Sequence, residues 1–186
     1  MYKRVTNLKE LTTFDSIWME TWTEKGFEVD PYSANVIERY LIMDGHAPIG
    51  TVEFKKYTPR VGELDQIAPF YAAESIRMSP DTVVEVDKVA IRRDQRGKHI
   101  DKMMTALMLF AEQWGCRQYV SLLDPVFYRA LRIVFNIRMD VVSNERPYYK
   151  GAPVVPAILH VSDVVDNKER YPWLLQTQPS ATNLAM

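Results

Sequence analysis

The stretch of sequence that decides the fold spans residues 82–114 and reads TVVEVDKVAIRRDQRGKHIDKMMTALMLFAEQW. Residues 82–91 are rich in valine and isoleucine, which predicts a strand. The polar residues 92–97 predict a turn. Apolar side chains then recur at three- and four-residue steps over residues 98–114, so we expect an amphipathic helix there. Gly115 stands where a helix commonly ends in a left-handed cap.

A strand, a polar turn and a helix in this order can create an anion site at the start of the helix. Free backbone N–H groups and the positive end of the helix dipole meet there. Arg96 and Lys98 add positive charge, and Gly97 allows a ligand to approach the backbone closely. The combination suits a pyrophosphate, but basic first turns with a glycine also occur in helices that bind no ligand. The pattern alone leaves both interpretations open.

The rest of the chain predicts a mixed α/β (α+β) architecture. Apolar spacing and turn residues predict helices at 7–25 and 125–135, and strands at 36–43, 49–57, 119–123, 137–142 and 154–161. Residues 58–80 are interrupted by prolines and include a candidate short helix at 69–76. This segment could be a lid over a substrate or a surface crossing between strands.

Length and composition predict one domain in a reducing compartment. The 186 residues, 47% hydrophobic and 25% charged, suit a single core, which we place at residues 1–165, with a partly mobile tail at 166–186. The single cysteine, Cys116, excludes an intramolecular disulfide. The three histidines are scattered along the sequence, so we expect no metal site.

The charge balance and the apolar runs argue against two classes of partner. With 23 basic and 24 acidic residues the net charge is −1, which does not favour a nucleic-acid-binding surface. The N-terminal residues lack the apolar core of a signal peptide, and the apolar runs are far shorter than the ~20 residues of a membrane helix. We therefore expect a cytoplasmic protein that does not bind membranes.

Residues 89–98, VAIRRDQRGK, resemble the strand-and-loop motif of the GNAT superfamily of N-acyltransferases. The resemblance implies a central mixed, mostly antiparallel sheet with a splayed strand pair and helices on both faces. It also implies a donor, acetyl-CoA or another acyl-CoA, whose pyrophosphate binds the loop amides. The implied cofactor-binding residues are Val89, Ile91, Arg96, Gly97, Lys98, His99, Ile100 and Asp101. The sequence departs from the motif at His99 and Asp101, where the family has small residues.

Residues 85–91, EVDKVAI, are similar to a strand of acyl-homoserine lactone synthases and long-chain N-acyl amino acid synthases. These enzymes form a GNAT branch in which some members use acyl carrier protein as donor. Short matches at 127–129, 145–148 and 156–157 are also similar to that branch. The resemblance implies an alternative donor, a long-chain acyl-CoA or an acylated carrier protein.

Acyl transfer to an amine requires a base, a polarised thioester and a protonated leaving group. Glu85 is the candidate base because it lies on the strand expected to line the cleft. Asp87 points to the same face, and with Lys88 it is a candidate substrate-binding residue. The family resemblance assigns the role of acid to Tyr128. Each of these residues also has an ordinary interpretation, as surface charge or as packing.

Three functions remain open at this point. Because acetyl-CoA is the commonest donor in the class, an N-acetyltransferase acting on a primary amine of a small molecule or peptide is preferred. The second is a long-chain N-acyl amino acid or homoserine lactone type synthase, and the third a non-catalytic module that binds a ligand or partner. The stripe of Met103, Met104 and Met108 is either core or one wall of an acyl pocket. Exposed strand edges are compatible with a homodimer.

Overall fold

The computed structural model describes residues 1–143 and 145–177, and a mixed sheet forms its centre. Seven strands of the described chain build this sheet in the order β1-β2-β3-β4-β5-β9-β6. Their bounds are β1 Tyr2–Arg4, β2 Val36–Asp44, β3 Ala47–Lys56, β4 Val83–Ile91, β5 Gln118–Leu123, β6 Met139–Val141 and β9 Val155–Leu159. β7, Tyr148–Tyr149, and β8, Ala152–Pro153, pair separately as a small hairpin. All the pairings are antiparallel except that of β4 with β5.

Helices cover both faces of this sheet. They are α1 Leu8–Glu24, α2 Glu63–Ile67, α3 Glu74–Met78, α4 Ile100–Trp114, α5 Pro125–Ile133, α6 Val161–Val165 and α7 Pro172–Thr177. α1 buries Phe14, Ile17 and Trp18 in a cluster on one face, whereas α4 buries its apolar stripe in the main core on the other. The predicted mostly antiparallel sheet with helices on both faces is therefore confirmed. No helix among the described residues is both long and apolar enough to cross a membrane.

Local signals explain where the main helices begin and end. The Asn7 side chain accepts a hydrogen bond from Glu10 N at 3.0 Å and so caps α1. Gly115 has φ 63° at the end of α4, which is the left-handed cap that its position predicts. Asn136 also takes a left-handed conformation, φ 51°, just beyond α5. The predicted helix boundaries are accordingly correct to within a few residues.

The elements that depend on distant contacts differ from the predictions. The predicted strand 154–161 is too long, because it ends at Leu159 and Val161 already begins α6. The predicted strand 137–142 shortens to Met139–Val141, and β1 and the β7–β8 hairpin have no counterpart among the predicted elements. Within residues 58–80, Pro69 lies between two short helices, α2 and α3. The candidate helix at 69–76 is instead a 3-10 turn at Phe70–Ala72 followed by α3.

The C-terminal part of the described chain packs on the core. Residues Lys168–Arg170 form a 3-10 turn and α7 follows it, although the predicted tail begins at residue 166. Leu174 is only 1% exposed within the main hydrophobic core. The core thus extends past the predicted boundary at residue 165. Residues 178–186 of the predicted tail lie outside the described residues.

Close backbone approach between β3 and β4 gives a stability prediction at Gly50. A Cβ atom there would lie 2.5 Å from the Ala90 carbonyl oxygen, so β3 or β4 would have to shift to accept it. We expect Gly50→Ala to lower the free energy of unfolding by about 1–3 kcal/mol in equilibrium denaturation. Gly45→Asn is the control, because Gly45 has open space around it and φ 56°, which asparagine tolerates. Equal midpoints for Gly50→Ala and the wild type would refute the steric argument.

Candidate active site

The site begins where β4 and β5 stop pairing. Their parallel register covers only Val83–Glu85 against Gln118–Val120. At the point of separation the Ser121 hydroxyl donates a hydrogen bond to the Val86 carbonyl oxygen at 2.8 Å. β4 then continues to Ile91 without β5 beside it, so a cleft opens between the two strands. This is the splayed pair that the sequence resemblance implied.

An irregularity in β4 accompanies the separation. Lys88 has φ 48°, an uncommon value for a residue with a side chain, and the β3–β4 register shifts between Thr51 and Glu53. The Thr51 hydroxyl donates to the Lys88 carbonyl oxygen at 2.8 Å and holds the distorted backbone in place. Because a bulge bends the strand that carries it, this distortion favours the divergence of β4 from β5.

A large, mainly apolar cavity of about 440 Å³ fills the cleft. This volume falls in the ~300–1,000 Å³ range of small-molecule sites. β4 supplies Glu85–Ile91, and the opposite wall comes from β5 and α5. The apolar side chains of the walls include Val86, Ile100, Met103, Leu123, Phe127, Ala130, Val134 and Phe135. Met103 therefore contributes to this cavity, whereas Met104 and Met108 are buried in the core.

The residues predicted to bind the donor divide into two groups. One group lines the cavity: Val89, Ile91, Arg96, Gly97 and Ile100. The other group, Lys98, His99 and Asp101, does not line it. His99 Nε2 instead lies 3.5 Å from Asp44 Oδ2 in the β2–β3 hairpin. The two side chains that depart from the family motif therefore stand outside the cavity.

Ion pairs surround the mouth of the cleft. Arg96 lies at its edge, where Nη2 contacts Glu24 Oε2 at 3.0 Å and Nε donates to the Ile91 carbonyl oxygen at 3.2 Å. On the other side, Lys25 Nζ lies 3.3 Å from Asp124 Oδ2. All four charged groups are partly exposed. Pairs of this kind exchange readily with water or with a charged ligand.

A second, more polar cavity of about 250 Å³ adjoins the first. The two cavities share Trp22, Glu85, Asp87 and Lys88, so β4 forms a common wall between them. The remaining charged residues of the polar cavity are Asp30, Lys55, Lys56, Glu63 and Lys150. Among the described residues, no three histidine, cysteine, aspartate or glutamate side chains are grouped to hold a metal ion.

Glu85 is an almost buried carboxylate in contact with one lysine. It is 6% exposed, and Lys55 Nζ lies 2.6 Å from its Oε1 atom and 3.6 Å from Asp87 Oδ2. Burial raises the pKa of Glu85 above its ordinary value of 4.5, and the Lys55 ammonium opposes this shift only in part. Glu85 and Asp87 thus meet at the boundary of the two cavities, as their spacing on one strand predicts.

Lys88 is held by contacts within the protein. Its side chain is nearly fully buried, with Nζ 3.6 Å from Glu53 Oε2, 3.2 Å from the Pro31 carbonyl oxygen and 4.8 Å from the centre of the Trp18 ring. Glu53 is fully buried and also binds Arg39 and Ser33. The Lys88 ammonium, predicted to contact substrate, therefore joins β4 to the loop that follows α1.

Two tyrosines, Tyr128 and Tyr149, are placed differently relative to the cavity. Tyr128 is half-buried on α5 and packs against the main core, and its neighbour Phe127 lines the cavity instead. Tyr149, which the sequence did not single out, lines the cavity together with Glu85 and Asp87. The sequence does contain a clue to this hairpin, since Gly151 suits the two-residue turn that Lys150 and Gly151 form between the strands. Strands of two residues are too short for periodicity to reveal.

The chain has the fold of the GNAT N-acyltransferases, in the form found in acyl-homoserine lactone and N-acyl amino acid synthases. One such structure is FeeM, an N-acyl amino acid synthase from uncultured soil microbes, with TM-score 0.66 and 11% identity over 96% of this chain and 98% of that one. TofI matches with TM-score 0.62 and 16% identity over 87% and 90% of the two chains. BjaI, a CoA-dependent acyl-homoserine lactone synthase, matches with TM-score 0.59 and 14% identity over 87% and 80%. No family model and no curated protein matches the sequence.

The buried Glu53 carboxylate gives a second stability prediction. Glu53→Gln leaves the Lys88 ammonium buried without its carboxylate partner. We expect it to lower the free energy of unfolding by about 3–5 kcal/mol. Glu112→Gln is the matched control, because Glu112 is half exposed and pairs with Lys168, and it should cost under about 1 kcal/mol. Equal losses in the two variants in equilibrium denaturation would contradict the importance of the buried network.

Proposed function

We propose that the protein is an N-acyltransferase that moves an acyl group from an acyl thioester to the primary amine of a small molecule. The observation that carries the proposal is the cavity between the splayed strands. It has Arg96 and Gly97 on its wall, in the turn that leads into α4, and it also includes Glu85. In this proposal the donor and the base share one space. The fold common to CoA-dependent acyl-homoserine lactone synthases and N-acyl amino acid synthases supports the same class of reaction.

The donor is an acyl-CoA in this proposal, with its phosphates at the start of α4. The Arg96 guanidinium contacts the partly exposed Glu24 through Nη2 while its Nε donates to the Ile91 carbonyl oxygen, so a phosphate can replace the Glu24 carboxylate. Gly97 has φ 80°, and no other group lies within 4 Å of the position that a Cβ would take, which leaves room for a ligand. β4 has no β5 neighbour after Glu85, so an extended pantetheine arm fits beside its backbone. An acylated carrier protein is the alternative source of the same arm.

The cavity favours an acyl chain longer than acetyl. Its walls are mainly apolar, and Met103 is a flexible side chain that adapts to irregular ligands. Each buried CH₂ group contributes about 0.8 kcal/mol, which is up to about fourfold in affinity. Acetyl-CoA is preferred on the sequence alone because it is the commonest donor in the class, but its acetyl group is too short to contact most of this apolar surface. The long-chain alternative therefore receives more support from the geometry.

The acceptor amine enters through the polar cavity and meets Glu85 at the shared wall. Glu85 removes a proton from the attacking nitrogen, and Asp87 attracts the amine by its charge. The sequence resemblance assigns protonation of the leaving sulfur to Tyr128. That residue packs against the core instead of lining the cavity, so the geometry supports its role less than that of Glu85.

Donor binding is tested by thermal unfolding with CoA, acetyl-CoA, octanoyl-CoA and dodecanoyl-CoA. A ligand that binds the folded state raises the melting temperature, and we expect the rise to increase with chain length. Arg96→Gln should reduce the rise for every donor, whereas Arg77→Gln should not, because Arg77 is exposed on α3 and does not line the cavity. No rise with any CoA compound would refute the acyl-CoA donor. Binding without thiol release in the presence of amines would indicate a non-catalytic module.

Glu85 as base predicts both a rate loss and a pH dependence. We expect Glu85→Gln to lower kcat at least about tenfold, with Glu112→Gln as control. In the wild type, kcat/KM should fall as the pH drops through the pKa of Glu85, which lies above 4.5, because the protonated carboxyl cannot accept a proton. This acid limb should be absent from the residual activity of Glu85→Gln. An unchanged kcat would rule out the assignment.

A further inference from the structure

We infer that Tyr149 is a further catalytic residue, whose hydroxyl donates a hydrogen bond to the thioester oxygen as that oxygen becomes negatively charged. This inference rests on the proposed acyl transfer and adds the group that stabilises its transition state. The family resemblance did not include this residue. Its support comes from the β7–β8 hairpin, from the composition of the cavity wall and from the charges around the phenol.

The hairpin holds Tyr149 in a defined place. Tyr149 pairs with Ala152, and the two residues between them, Lys150 and Gly151, have φ 48° and 84°, as a tight two-residue hairpin turn requires. The Lys150 carbonyl oxygen accepts a hydrogen bond from Glu28 N at 2.8 Å. The turn is therefore docked on the segment that follows α1. A side chain positioned by two backbone segments is suited to a preorganised role.

Tyr149 faces the cavity at the end where Glu85 and Asp87 lie. It is half-buried and lines the donor cavity beside them. It is also the only tyrosine on that wall within the described residues. The Ser121 hydroxyl, another possible donor there, is already bonded to the Val86 carbonyl oxygen. An oxyanion formed next to Glu85 thus has a phenol as its neighbour.

The charges around the phenol keep it protonated. Burial raises the pKa of Tyr149, and the Asp87 and Glu63 carboxylates raise it further. Glu63, which contributes to this pKa shift, is a half-exposed carboxylate whose Oε1 lies 3.9 Å from Lys150 Nζ. When the phenol turns to a substrate, water and Lys150 can satisfy Glu63. Tyr149 therefore acts as a neutral hydrogen-bond donor across the range in which Glu85 acts as base.

The complete step balances with these two residues. The amine nitrogen attacks the carbonyl carbon, a C–N bond forms, and the carbonyl electron pair moves to the oxygen that Tyr149 contacts. Glu85 takes one proton from the nitrogen. When the carbonyl re-forms, the C–S bond breaks and its electron pair leaves on sulfur. The thiolate then takes up one proton, which balances the proton held by Glu85, and the products are an amide and a thiol.

Tyr149→Phe tests the inference, with Tyr148→Phe as the matched control. Tyr148 is the preceding residue on the same strand and is 75% exposed, so its hydroxyl is not required. We expect Tyr149→Phe to lower kcat by about 10²-fold, the usual loss for one oxyanion donor. The donor KM, the donor-induced rise in melting temperature and the acid limb set by Glu85 should all stay unchanged. Tyr148→Phe should match the wild type in each measurement.

The outcomes separate this inference from the proposed function. Wild-type activity with an unchanged kcat in Tyr149→Phe would overturn the role of Tyr149 and leave acyl transfer intact. A lowered kcat accompanied by loss of the donor-induced thermal shift would also overturn it, since the residue would then be structural. Absence of acyl transfer in the wild type, with any donor and amine, would remove the proposed function and this role together.

Discussion

Parallel pairing between β4 and β5 ends after three residue pairs, and the space beyond that point holds the apolar cavity of about 440 Å³. In a regular sheet the backbone groups of the two strands would form hydrogen bonds with each other along their whole length. Here the irregular backbone at Lys88 bends β4 instead, with the Thr51 hydroxyl bonded to its carbonyl oxygen. The helix that follows β4 then begins at the edge of the gap. The interrupted pairing therefore brings the Arg96–Gly97 turn, a mainly apolar cavity wall and the buried Glu85 carboxylate together.

The charges behind this gap connect stability with function. A buried ion is costly unless another charge and hydrogen bonds compensate it. Glu53, Lys88 and Arg39 meet this condition together, and their contacts with Ser33 and Pro31 hold the loop after α1 against β4. That loop also forms part of the polar cavity. The ion pairs among Glu53, Lys88 and Arg39 thus offset the cost of burying these charges. They also shape the polar cavity, through which the proposed acceptor would enter.

Much of the fold follows from local sequence, and most of the site does not. The valine-rich run before Arg92 and the apolar spacing up to Gly115 predict β4 and α4 because both signals are periodic and capped. β1 and the β7–β8 hairpin escape prediction because they are only two or three residues long and form through distant contacts. The same limit applies to side chains. The position of Glu85 in the cavity wall can be predicted from its place on β4. Tyr149 reaches the cavity only because the β7–β8 hairpin docks on the segment that follows α1.

The small cluster of Lys55, Glu85 and Asp87 has a charge that bears on how an acceptor would bind. Lys55 supplies a single ammonium to Glu85 and Asp87, so these three groups carry one excess negative charge when all are ionised. A protonated amine beside these three groups would bring their sum to zero, and it must lose its extra proton before the nitrogen can attack the thioester. The amide product is neutral, so it lacks the charge by which this cluster would attract an ammonium acceptor.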